Sequence, residues 1–106
     1  MTSPLNHDET RAYFDANDNF GLASVFFFQQ GMLVLCLTTE GKIILETAGQ
    51  VAMAPNGNGG IYPALKLSGA LDDMEQRKIE YLHIFSIDNT LVLPADPVFF
   101  GYCIHN

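Results

Sequence analysis

Three short stretches carry groups of the kind that hold a nucleotide or a metal ion. The first is Asn56-Gly57-Asn58-Gly59-Gly60, set between an apolar stretch and a helical pattern. Glycines there let the main chain take positive φ and let a ligand approach it closely. The helix that follows offers free N–H groups at its first turn. No Lys follows the glycines, so this is not the G-x-x-x-x-G-K-[ST] phosphate loop, and it is not a G-x-G-x-x-G fingerprint either. Taken alone, such a loop is more often an ordinary turn with a helix cap.

The second is Asp88, at the carboxyl end of the apolar run Glu80–Ile87. In open α/β sheets that edge is where ligands bind, and one carboxylate suits Mg²⁺, which fills the rest of its octahedron with phosphate oxygens and water. Asp-Asn is also a common turn pair, and position alone divides the two readings about evenly. The third is Gln29-Gln30-Gly31, directly after Phe26-Phe27-Phe28. A Gln side chain carries an acceptor and two donors, enough to read a base edge with two bonds. Without context, a polar residue leaving a strand is the better reading.

Other reactive types are scattered. His7, His83 and His105 have no helical i, i+4 pairing and no Cys partner, so a zinc site is not expected. His83, inside an apolar strand, reads as a core histidine with a satisfied ring rather than a catalyst. There is no G-x-S-x-G element and no Cys/His catalytic set. Cys36 and Cys103 stand far apart among apolar neighbours, which reads as two buried free thiols in a reducing compartment.

The elements that must position these groups alternate in type. Asn6 or Asp8 caps a helix running to about Ala16, with Ala12, Tyr13 and Ala16 inward, and Asn17-Asp18-Asn19 ends it. Ser24–Phe28 and Met32–Thr38 read as strands, and the Glu40-Gly41 turn returns the second through Lys42–Glu46 as a hairpin. Gln50–Met53 is a third short strand. From Ile61 the pattern is helical, with Leu65, Leu71 and Met74 inward, Pro63 in the first turn and a break near Ser68-Gly69. Glu80–Ile87 reads as a strand buried on both faces, and Asp96-Pro97 opens a last helix. This order predicts an α/β chain, a sheet with helices on its faces. The first residues read like the end of a strand and the last fall inside a helix.

At 106 residues the chain is the size of one small domain, and its 48% hydrophobic share supplies a core. Twelve acids against five bases give a net charge of −7, which argues against a nucleic-acid backbone or an anionic membrane as partner. It leaves a single nucleotide open, since backbone N–H groups and a metal ion can hold one. No basic region followed by an apolar stretch opens the chain, and no apolar run reaches membrane length, so a cytoplasmic address is expected.

Together the three stretches resemble those of eukaryotic-type UDP-N-acetylglucosamine pyrophosphorylases. The runs Phe27-Phe28-Gln29-Gln30-Gly31-Met32-Leu33, Met53-Ala54-Pro55-Asn56-Gly57-Asn58-Gly59-Gly60-Ile61-Tyr62 and Ile87-Asp88-Asn89-Thr90-Leu91-Val92, then Ala95-Asp96-Pro97, stand in the order that family has them. Gly41-Lys42-Ile43-Ile44-Leu45-Glu46 and Asp72-Asp73-Met74-Glu75-Gln76-Arg77 match between them, so the likeness covers nearly the whole chain. Pro63 replaces a residue usually basic in the family, and Val34 stands where Pro is common.

The resemblance implies a Rossmann-like nucleotidyltransferase domain of GT-A type, with a mixed, mostly parallel sheet, flanking helices and a small hairpin. Residues 1–106 would be one partial catalytic domain. The family's Gly-Gly-x-Gly-Thr-x-Leu phosphate signature would lie upstream of Met1, and its sugar-binding part beyond Asn106, so turnover by this chain alone is not expected. The implied reaction joins UTP and N-acetylglucosamine 1-phosphate into UDP-N-acetylglucosamine and pyrophosphate with Mg²⁺. By the same likeness Gln30 and the backbone at Gly57 would hold the uracil, Asn58 would reach the sugar nucleotide, and Asp88 would meet the phosphates through the metal. A related UDP-sugar pyrophosphorylase is disfavoured, because those relatives tend to carry a Gly-His-Gly-Asp type loop in place of Gly57-Asn58-Gly59-Gly60. A non-catalytic module that keeps the nucleotide pocket stays open.

Overall fold

The first helix, α1 (His7–Ala16), carries Asp8 and Glu9 in its first turn, where acids meet the positive end of the helix dipole. Asn6 stands at the cap position, but its Oδ1 accepts from the N–H and hydroxyl of Ser3 at 2.8 and 3.1 Å and makes no cap bond to the helix. The inward residue is Phe14, whose ring meets Phe20 and Phe27 edge-on at 5.2 Å each. Ala12, Tyr13 and Ala16 are exposed, contrary to the sequence expectation. The aromatic cluster formed by the next turn, rather than a sheet, sets which side of α1 is covered. Asn17 ends the helix as expected, its amide donating to the Tyr13 carbonyl at 2.7 Å.

The computed structural model describes residues 1–34 and 37–105. Two small antiparallel pairs follow α1. β1 (Met32–Leu33) pairs with β4 (Ala54–Pro55), in the register Met32 with Pro55 and Leu33 with Ala54. β2 (Leu45–Thr47) pairs with β3 (Gln50–Val51) across Ala48-Gly49. The expected Glu40-Gly41 turn is present: Leu37 bridges Ile43, and the Thr38 N–H donates to the Lys42 carbonyl at 2.8 Å. The rest of the expected Met32–Thr38 strand includes Leu35 and Cys36, which lie outside the described residues.

A short 3₁₀ turn at Asn58–Gly60 leads into α2 (Ile61–Leu67), with Pro63 in its first turn where its missing N–H costs little. Gly69, at φ 77°, breaks the chain between α2 and α3 (Ala70–Gln76), where the sequence placed the break. Leu65 is buried as expected, but Leu71 is exposed. The last helix, α4 (Pro97–His105), is capped by Asp96, whose Oδ1 accepts from the Val98 N–H at 2.9 Å.

The chain is therefore mixed helix and sheet, with small antiparallel pairs. Among the described residues the single parallel pairing is the bridge between Thr2 and Gln29. Neither Ser24–Phe28 nor Glu80–Ile87 forms a regular strand. A strand exists through the ladder of its neighbours, and Glu80–Ile87, patterned for burial on both faces, has Tyr81, Leu82, Ile84 and Phe85 each about half exposed. The buried apolar set among the described residues is Ala64, Leu65 and Ala70. A radius of gyration of 17.6 Å exceeds the roughly 13 Å of a packed chain of this length. Cys103, expected to be buried, is a free and exposed thiol on α4.

Candidate functional site

The glycine-rich loop sits where β4 ends and α2 begins. Gly57 takes φ 78° with ψ −178°, a backbone region open almost only to glycine. Its carbonyl accepts the Gly60 N–H at 3.0 Å, closing the turn that carries Asn58. Residues of the loop contribute to two cavities.

The larger cavity, about 590 Å³, is lined by Asn58, Ile61, Leu65, Met74, His83 and Asp88 among others. Asn58 and Asp88 thus meet one space, though they come from the loop before α2 and from the end of the 80–87 segment. The Asp88 carboxyl is exposed, and its backbone N–H donates to the Ser86 hydroxyl at 3.4 Å. Among the described residues, no three His, Cys, Asp or Glu side chains gather as a metal-holding group. A single carboxylate at the rim of a wide cavity fits a cation that takes most of its ligands from phosphate and water.

A second cavity, about 350 Å³, is lined by Gln30, Gly31, Asn56, Gly60, Ala64 and Ser68 among others. Gln30 is half-buried, its N–H donating to the Thr2 carbonyl at 2.8 Å. Gln30 and Asp88 therefore line separate cavities, and Gly57 lines neither of them.

Sequence reasoning gave Asn56 no role of its own. Its backbone N–H donates to the Gly31 carbonyl at 3.0 Å. Its side chain lies against Gly31 and Gly60, and Asn56 Oδ1 is buried with no hydrogen-bond partner. An unmet buried acceptor costs about 1–3 kcal/mol. Glycines at 31 and 60, one on each side of an Asn, were the available signal. Thr2 and Ser3, both buried, were also missed: Thr2 bonds His7 through Oγ1 and Nδ1 at 2.7 Å and bridges the Gln29 backbone. His83 is half-buried rather than in the core, and its segment forms no strand; its ring is set among Phe85, Phe99 and Phe100 at 5.2–5.8 Å while Nδ1 accepts from the Ala95 N–H at 3.4 Å.

The model of the UTP–glucose-1-phosphate uridylyltransferase family matches residues 1–106. The chain belongs to this family. Within the uridylyltransferase family it is 52% identical over 103 residues to a Schizosaccharomyces pombe protein named "Probable UDP-N-acetylglucosamine pyrophosphorylase", covering 95% of this chain and 22% of that one. It is 50% identical over 106 residues to UDP-N-acetylglucosamine diphosphorylase 1 of Arabidopsis thaliana, covering 98% of this chain and 21% of the relative. A solved structure from Entamoeba histolytica, described as a presumed UDP-N-acetylglucosamine pyrophosphorylase, is similar with a TM-score of 0.66 at 40% identity. That likeness covers 74% of this chain and 20% of the solved one. This uridylyltransferase-family chain spans about a fifth of the length of the curated relatives it matches.

Proposed function

We propose that this chain is the uridine-binding part of an enzyme that makes UDP-N-acetylglucosamine and pyrophosphate from UTP and N-acetylglucosamine 1-phosphate. The observation that carries the reading is that Asn58 and Asp88, distant in sequence, line one cavity. The relatives' names favour an N-acetylhexosamine over another hexose, and they support the pyrophosphorylase over the related UDP-sugar enzymes.

In this reading Gln30 reads the uracil edge with its amide, and the Gly57 backbone, held open by φ 78°, lets the base approach the main chain. Asn58 donates to the sugar nucleotide across the larger cavity. Asp88 holds Mg²⁺, which supplies charge neutralisation to the phosphates when bound. A phosphate oxygen of the sugar 1-phosphate bonds to the α-phosphorus of UTP, and the bond to pyrophosphate breaks. No side-chain nucleophile is needed, because such transfers depend on positioning and charge neutralisation.

The finer architecture belongs to the same proposal. Glu80–Ile87 becomes an inner strand of a Rossmann-like sheet once flanking strands of a longer chain supply its ladder, which accounts for its apolar pattern and its exposure here. The phosphate signature and the sugar-binding part come from that longer chain. The cytoplasm is the proposed address, and no helix among the described residues is long and apolar enough to cross a membrane.

A second reading, a uridine-nucleotide module without turnover, is favoured by the separation of Gln30 and Asp88 into different cavities. Calorimetric titration with UTP and with UDP-N-acetylglucosamine, with and without MgCl₂, tests both, alongside a pyrophosphate-release assay. Binding without turnover is the expected result for this chain. The proposal fails if neither uridine nucleotide binds.

A further inference from the structure

We infer that Asn56 is a positioning residue that sets base selectivity in the cavity of Gln30; the inference rests on the uridine reading above. Its backbone bond to the Gly31 carbonyl at 3.0 Å extends the β1–β4 pairing by one step and fixes where the Gln29-Gln30-Gly31 turn ends. Its carboxamide then fills the space between that turn and the start of α2. A Cβ at Gly31 would stand 3.1 Å from Asn56 Nδ2, and one at Gly60 would stand 2.8 Å from Nδ2 and nearer still to Oδ1. Both glycines are seats for this side chain.

The Asn56 Oδ1 is buried without a partner, an arrangement a small apolar side chain would avoid. What the wedge supplies is a fixed spacing between the Gln30 turn and the opposite wall at Ala64 and Ser68. Uracil presents an N–H between two carbonyls, whereas cytosine presents a bare ring nitrogen beside an amino group. A Gln amide can turn over to satisfy either edge. Preference for one therefore depends on how rigidly Gln30 is held against the far wall.

The test uses the full chain, titrated with UTP and CTP in MgCl₂, with melting followed in parallel. The wild-type chain is expected to prefer UTP by about tenfold or more. Asn56→Ala is expected to bring the two affinities within about threefold, with the melting midpoint unchanged or raised because the unmet acceptor is gone. Equal losses for both nucleotides with a lowered midpoint mark a merely structural seat and overturn the inference. Should Asn56→Ala not fold, Asn56→Ser decides, since its shorter side chain vacates part of the seat between Gly31 and Gly60; an unchanged UTP to CTP ratio there overturns the inference. Wild-type selectivity that survives in Asn56→Ala overturns this inference alone. A wild-type chain that binds no uridine nucleotide overturns the uridine reading as well.

Discussion

The backbone N–H of Asn56 donates to the carbonyl of Gly31 at 3.0 Å, and this bond ties the loop that carries Gly57 to the turn that carries Gln30. Met32 and Leu33 pair with Pro55 and Ala54 just beyond it. Two stretches distant in sequence thereby become the two sides of one short antiparallel pair, each delivering its candidate group at the same end. The bridge from Thr2 to Gln29 braces the Gln30 turn from the other side.

Gly57 is expected to tolerate no side chain. With φ at 78° and ψ at −178°, Gly57→Ala should cost about 1–3 kcal/mol from backbone strain alone, since open space surrounds the position. Urea denaturation measures this, and UTP titration should show weakened binding in the same variant. A variant as stable as the wild type would mean that the loop relaxes at no cost.

Asp88→Asn keeps the shape of the side chain and removes its charge. The gain that MgCl₂ gives to UTP binding should shrink by about tenfold, equivalent to about 1.4 kcal/mol, while UTP binding in EDTA should hardly change. Titrations with and without the metal measure the difference. An undiminished magnesium effect would remove Asp88 from the metal's ligands.

Asp96 caps α4 through its bond to the Val98 N–H. Asp96→Ala should cost about 0.5–2 kcal/mol and reduce helix content at the end of the chain. Circular dichroism against urea, with Asp96→Asn as the variant that keeps the capping oxygen, checks the outcome. Equal loss in both variants would point away from capping.

Ile87 and Leu91 are 92% and 89% exposed, so serine at both positions should leave the stability of this chain within about 0.5 kcal/mol. The wild-type chain should self-associate through its uncovered 80–93 segment, and the double variant should elute closer to a monomer. Size-exclusion chromatography with light scattering separates the cases. A monodisperse wild-type chain would show that the apolar face is covered in some other way.

The order of residue types was enough to determine the local features. The helix end at Asn17, the Glu40-Gly41 turn, the break at Gly69, Pro63 in a first turn and the Asp96 cap are each fixed by one or two neighbouring residues. They were legible because capping and turn chemistry act over a few residues. The same holds for family membership, which rests on several short runs in a fixed order. Tertiary structure alone decided that Phe14 rather than Tyr13 faces inward, that Gln30 and Asp88 line different cavities, and that Asn56 stands between two glycines. It also decided that Glu80–Ile87, apolar enough for an inner strand, forms none here. Burial and strand pairing are relations between distant parts of a chain, and periodicity can say that a residue is suited to them without saying which neighbour meets it.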